Sequence, residues 1–186
     1  RTVNLVKKIN KNIILTQCTS VYPCPSYLTG IEVIPIFKKR FNVITGLSDH
    51  SNSIYSSLGA VALGACIIEK HFTLDKSAKG PDHASSIEPN ELKELVVGAN
   101  EIYNSKKIKV KKILKEEKQI ISWARESVVS VQNIKKGEKF NEKNISTKRP
   151  NAKNGEIESK YFYKVLGKRS KKDVKKNKTL NWTDLI

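Results

Sequence analysis

Methionine is absent from all 186 residues, and the chain opens on Arg1. A lysine-rich segment with helical character, Thr2–Lys11, runs directly into the first strand-like stretch, so we expect a fragment of a longer protein. Cysteine is scarce. Cys18, Cys24 and Cys66 are odd in number and lack metal-ligand spacing, which argues against a disulfide framework and points to reduced thiols in a cytoplasmic protein. Cys66 reads as a small buried residue rather than a redox group. No apolar run approaches the roughly 18 residues that a membrane helix needs, and the N-terminus carries no signal-peptide core.

Acidic residues are also few: 18 against 35 Lys and Arg, for a net charge of +17. Nucleic-acid binding is the obvious reading of such a charge. The pattern argues against it, because the lysines fall in scattered pairs such as Lys38-Lys39, Lys111-Lys112 and Lys175-Lys176. No aromatic cluster suited to base stacking accompanies them. A compositional bias toward Lys, Asn and Ile accounts for the charge more simply. We therefore expect neither a nucleic acid nor a membrane as partner, although a positive field would attract a phosphorylated substrate.

Three apolar, strand-like runs end abruptly at polar residues: Asn12–Pro23, Phe41–His50 and Ala65–Thr73. Leu28–Arg40 and Ile54–Gly64, between them, are long enough for helices. Strand and helix in alternation predict parallel βα units. In a (β/α)₈ barrel the chemistry sits at the C-terminal ends of the strands, where Tyr22, Ser48, Asp49, His50, Glu69, His71 and Thr73 fall. The fold class expected is α/β, with the last three βα units of such a barrel followed by a small β-rich domain.

His50 and His71 each follow an apolar strand and are separated by one helix, so both should point into one mouth. Two imidazoles within reach of one divalent ion suit Mn, Fe, Co or Zn. Asp49 and Glu69 could orient the rings as hydrogen-bond acceptors, or form salt bridges instead. In the loop after His71, Asp82 stands beside Gly80-Pro81, where it could hydrogen-bond a polyhydroxylated ligand or cap the helix predicted over Glu91–Tyr103.

The organisation expected is residues 1–104 for the βα part, 105–120 for a charged linker, and 121–186 for the second domain. That domain contains a repeat. Asn133-Ile134-Lys135-Lys136-Gly137, Phe140-Asn141 and Asn144-Ile145 recur as Asp173-Val174-Lys175-Lys176-Asn177, Leu180-Asn181 and Asp184-Leu185. Gly137 and Asn177 both tolerate a left-handed turn conformation. Two strand–turn–strand units related by pseudo-symmetry are predicted.

The ordered motifs SDH (Ser48–His50), EKHFTLDK (Glu69–Lys76), GPDH (Gly80–His83) and SIEP (Ser86–Pro89) resemble those of the sialic acid synthases. QCTSVYP (Gln17–Pro23) and GAVALGA (Gly59–Ala65) fit in the same order, and Ser127–Pro150 with Val165–Lys168 resembles the family's SAF, or antifreeze-like, domain. The resemblance implies a transferase that condenses phosphoenolpyruvate with N-acetylmannosamine to give a nine-carbon sialic acid and phosphate. It implies that His50 and His71 bind a divalent metal, Mn²⁺ being usual. It further implies that Tyr22 and Asp82 contact the sugar, that Ser48 contacts phosphoenolpyruvate, and that Ser20 lies at a contact position occupied by Asn in some members. Arg149 matches an arginine that reaches into the partner subunit's barrel mouth in a domain-swapped homodimer. A full barrel takes roughly 250 residues, so the strands that carry the family's phosphate-binding lysines are missing and this chain alone should be inactive. Two alternatives stand beside this reading: a legionaminic acid synthase acting on a 2,4-diacetamido hexose, or a non-catalytic SAF module that binds carbohydrate.

Overall fold

Helix α1 (Thr2–Ile9) leads into β1 (Ile14–Cys18), the first of three parallel strands in a computed structural model that describes residues 1–186. The chain divides into two compact units, Arg1–Val110 and Lys111–Ile186. No helix is long and apolar enough to cross a membrane.

In the first unit β2 (Ile44–Asp49) is central and pairs with β1 on one side and β3 (Ile67–Lys70) on the other. Helix α2 (Val33–Phe41) connects β1 to β2, and α3 (Tyr55–Ala62) connects β2 to β3. Helix α2 begins later than the expected Leu28, which lies in a short 3₁₀ turn at Ser26–Leu28. Pro35 explains the difference. It would break the interior of a helix starting at Leu28, whereas in the first turn of α2 its missing N–H costs nothing. At the far end Asn42 adopts φ 48°, and its N–H caps the carbonyl of Lys38.

The register gives the sheet two chemically different faces. Ile14 pairs with Ile44 and Cys18 with Ser48, while Gly46 pairs with Ile67 and Asp49 with Lys70. Because side chains alternate along a strand, Leu47 and Ile68 point to the helices. There Ile34, Leu47 and Ala60 form one buried cluster, and Ile54, Ile87 and Leu95 a second, with Ile68 packed against both. The other face carries Thr16, Gly46 and Ile67, then Cys18, Ser48 and Glu69. Gly46 is required by closeness: a Cβ there would lie 2.3 Å from the Ile67 carbonyl oxygen.

Helix α4 (Pro89–Ser105) closes the unit against α3 and starts with Pro89 behind a reciprocal capping box of Glu88 and Glu91. Glu88, not Asp82, is therefore its N-cap. Cys66, expected to be buried, is exposed at the N-terminal start of β3, and the buried thiol is that of Cys24.

The second unit contains α5 (Lys118–Ala124), the antiparallel pair β4 (Ser127–Ser130) and β5 (Ile145–Lys148), and the single turn α6 (Phe162–Val165). The repeat is a real pseudo-twofold. The Gly137 N–H donates to Ser170 and the Asn177 N–H to Ser130, both to the backbone carbonyl. The Lys136 N–H donates to the Asp173 carboxylate and the Lys176 N–H to the Asn133 side-chain oxygen, each at 2.9 Å. Gly137 (φ +83°) and Asn177 (φ +61°) both take the left-handed turn conformation. Ile134, Phe140, Val174 and Leu180 meet in one core with Val128, Ile145, Ile157 and Val165.

Candidate active site

Continuing the strand register two residues beyond Cys18, Ser48 and Glu69 brings Ser20, His50 and His71 to the C-terminal edge of the sheet. The observed rings agree. The imidazole centroids of His50 and His71 lie 5.3 Å apart, and Tyr22 sits 4.2 Å from His50 and 5.8 Å from His71. Asp82 joins them from the loop, its Oδ2 lying 3.9 Å from His71 Nδ1. That distance is too long for a hydrogen bond, and the Asp82 side chain is 59% exposed.

His50 is fixed from two directions. Its Nδ1 lies 2.9 Å from the Thr19 carbonyl, and its own carbonyl accepts the Cys24 N–H. A carbonyl can only accept, so Nδ1 carries a proton, and in the neutral ring the lone pair is then on Nε2. That is the tautomer a metal-ligating histidine needs, held by a backbone acceptor as such ligands usually are. No group of three or more His, Cys, Asp or Glu is arranged to hold a metal. The two imidazoles at this edge are the groups that could hold a divalent ion.

Neither carboxylate beside the histidines orients a ring. Asp49 is turned to the helix-covered face, where it pairs with Lys70 at 3.2 Å and accepts hydrogen bonds from the Ser51 N–H and the Ser57 hydroxyl. Glu69 accepts the Ser48 hydroxyl at 2.6 Å, one layer below the histidines. The alternation of the strand decides this: Asp49 faces away from His50, and Glu69 points along the face of Ser48. Thr73 is buried and bonds His83 Nδ1 at 2.7 Å, which anchors the loop.

Of the residues singled out in the sequence, Tyr22, His50, His71 and Asp82 come together, Ser48 lies beneath them, and Ser20 stands exposed near Cys18. Arg149 belongs to the second unit, its guanidinium 5.9 Å from the Trp123 ring centroid. Thr19 and Lys70 were not among them. Thr19 acts through its backbone, which leaves no trace in residue type, and Lys70 becomes visible only once β2 and β3 are placed in register. Burial pushes the Cys24 thiol pKa up, with the Asp49 charge adding to it, so this neighbour is no nucleophile.

A parallel βα sheet with paired histidines at its C-terminal edge, followed by a small pseudo-symmetric β unit, defines a two-module protein with an enzyme-like site. The NeuB family model matches residues 1–111 and the SAF domain model residues 125–186. The chain belongs to the NeuB family. It is 43% identical over 170 residues to an N,N'-diacetyllegionaminic acid synthase of Campylobacter jejuni, a match covering 91% of this chain and 50% of that protein. Over 93 residues it is 46% identical to the N-acetylneuraminate-9-phosphate synthase of Mus musculus, covering 50% of this chain and 26% of the relative. The solved N-acetylneuraminic acid (sialic acid) synthetase of Leptospira borgpetersenii, in complex with citrate, superposes with a TM-score of 0.59. It shares 35% identity, and the match covers 64% of this chain and 42% of that one. The chain spans about half the length of the curated relatives it matches over most of its own length.

Proposed function

We propose that this chain is the C-terminal half of a phosphoenolpyruvate-dependent synthase of nine-carbon sialic-type acids. It comprises the last three βα units of an eight-fold barrel and the SAF domain. The observation that carries this reading is the His50–His71 pair at the ends of adjacent parallel strands, with Tyr22 against both rings. In the reaction the enol carbon of phosphoenolpyruvate forms a bond to the aldehyde carbon of an open-chain N-acetylated hexose. The C=O π pair moves to oxygen, and that oxygen takes up a proton equivalent to the one the attacking water gives up. Water adds to the resulting cationic carbon, whose bond to the phosphate oxygen breaks, and inorganic phosphate leaves.

His50 and His71 would hold a divalent metal, Mn²⁺ by the family resemblance, which when bound supplies Lewis-acid polarisation of an oxygen. The chain's own groups do the positioning. His50 presents Nε2 because Thr19 holds its Nδ1 proton. Tyr22 offers an exposed ring to the sugar, Asp82 an exposed acceptor for its hydroxyls, and Ser48 a phosphoenolpyruvate contact whose hydroxyl must first turn from Glu69 in order to donate. Ser20 lines the same edge. Fixing both reactants in line lowers the entropic part of the barrel's task. Arg149 would contact the sugar bound to the partner subunit of a domain-swapped homodimer, in the cytoplasm.

N-acetylmannosamine is the hexose we place first. The 43% match to a legionaminic acid synthase favours a second reading within the same chemistry, a 2,4-diacetamido hexose. The test is phosphate release from phosphoenolpyruvate with each sugar, with and without Mn²⁺, for this chain and for a version extended upstream to a full barrel. Metal-dependent turnover in the extended protein alone is expected, and the preferred sugar decides between the two. Turnover by the 186-residue chain would refute the half-barrel reading. No turnover in a folded extended protein would shift belief to a carbohydrate-binding role.

A further inference from the structure

The covered side of the strand ends holds a second charged group that the site above does not use. Asp49 and Lys70 are fully buried, their side chains 0% and 3% exposed, and they meet at 3.2 Å. A buried ion pair gives little net stability over apolar residues of the same volume, so stability alone does not explain one here. Its neighbours in sequence do. Asp49 immediately precedes His50, and Lys70 immediately precedes His71.

The bonds close around the histidines. Asp49 Oδ1 accepts the Ser51 N–H at 2.8 Å, so the carboxylate spans His50 and bends the chain about it. Asp49 Oδ2 accepts the Ser57 hydroxyl at 2.6 Å, which ties the bend to helix α3. Lys70 donates to the Ser51 carbonyl and so reaches from the residue before His71 to the residue after His50. On the open side the Thr19 and Cys24 backbones hold His50, and the Ile87 N–H donates to the His71 carbonyl. Each histidine is thus braced on both faces, and on the covered side the Asp49–Lys70 pair links the two braces, adding to the backbone pairing of β2 with β3 and to the Ser48–Glu69 bond on the other face.

We propose that Asp49 and Lys70 are positioning residues for the histidine pair, their ion pair setting the distance between the His50 and His71 rings. This rests on the reading of that pair as a metal site. Neither residue touches substrate or metal. They act through the strand ends that they lock together.

Lys70→Met removes the cation while keeping the stem's volume. Ser57→Ala is a milder lesion on the same carboxylate. Ile34→Ala opens the core of the same unit at α2, in the cluster with Leu47 and Ala60 that contains none of the groups bonded to either histidine. The 186-residue chain and these variants are compared by melting temperature, Mn²⁺ titration and the imidazole NMR resonances of His50 and His71. Lys70→Met should weaken Mn²⁺ binding by about 10- to 100-fold, as loss of a group supporting metal ligands does, and shift both sets of imidazole resonances. Ser57→Ala should move both readouts the same way by less, and it decides the matter if Lys70→Met does not fold. Ile34→Ala should lower the melting temperature and leave both readouts alone. Unchanged affinity and resonances in the Lys70 and Ser57 variants, or an equal loss in Ile34→Ala, overturns the proposal. Failure of the metal reading looks different, because the unaltered chain then takes up no Mn²⁺. The resonances alone then decide: shifts confined to the Lys70 and Ser57 variants uphold the positioning role, and their absence overturns it.

Discussion

Ile134 and Val174, 40 positions apart in the sequence, exchange both backbone hydrogen bonds at 2.8 Å across the pseudo-twofold of the second unit. Their side chains, 1% and 6% exposed, meet in a single core. Ile134→Ala should destabilise this unit by about 2–5 kcal/mol through lost burial and the cavity left behind. Both tryptophans, Trp123 and Trp182, lie in residues 111–186, so fluorescence in urea reports on this unit. Because the two residues share a core, Ile134→Ala with Val174→Ala should depart from additivity by about 0.5–3 kcal/mol. Strict additivity would mean that the two halves do not share one core.

Gly46 makes an equally sharp prediction in the first unit. An alanine Cβ would lie 2.3 Å from the Ile67 carbonyl oxygen, a backbone atom that cannot swing aside. Gly46→Ala should cost about 1–3 kcal/mol as overpacking does, and more if the strand pair must part. Amide exchange should quicken in β2 and β3 before it does in α4. An unchanged melting temperature would contradict so close an approach.

Much of this was legible in the sequence because it follows from periodicity. Apolar runs ending at polar residues gave the three parallel strands, and the repeat of Asn133–Gly137 at Asp173–Asn177 gave the pseudo-symmetry. The meeting of His50 and His71 followed from their equivalent positions at strand ends. What stayed hidden depends on which way a side chain turns. Asp49 adjoins His50 in sequence yet faces the opposite side of the sheet, where its partner is a lysine 21 positions away. Cys66 looked buried because apolar residues surround it in sequence, but it stands at the start of its strand, where nothing covers it. The Thr19 carbonyl that sets the His50 tautomer would be available from any residue at that position.

Glu91 ties stability to acid. Burial raises its carboxyl pKa, but the Lys76 ammonium at 2.6 Å and the Glu88 N–H at 2.9 Å lower it further, and the net shift is below the ordinary 4.5. A carboxyl depressed on folding contributes stability that is present above its unfolded pKa and lost as pH falls through the folded value. The start of helix α4 should therefore be intact at neutral pH and weaken below about pH 4.5. Glu91→Gln can still complete the capping box. It should lower stability at neutral pH by less than about 1 kcal/mol, since the pair is partly exposed, and flatten the acid limb of a melting-temperature profile. An unaltered acid limb would show that other carboxyls govern it.

His71 and Asp82 lie 3.9 Å apart, yet their substitutions should act on different quantities. If His71 holds a metal, His71→Ala in the upstream-extended protein removes several kcal/mol of transition-state stabilisation. At about 1.4 kcal/mol per decade, that is on the order of 10³-fold or more in metal-dependent phosphate release. Asp82 makes no hydrogen bond to His71 at this distance and is largely exposed, so Asp82→Asn should leave Mn²⁺ affinity unchanged. Its effect should appear in the KM for the sugar, because a carboxylate that accepts from sugar hydroxyls loses half its acceptor capacity as an amide. Loss of Mn²⁺ binding in Asp82→Asn would make Asp82 a support of the metal site instead of a sugar contact. Unchanged KM with unchanged affinity would remove it from the site altogether.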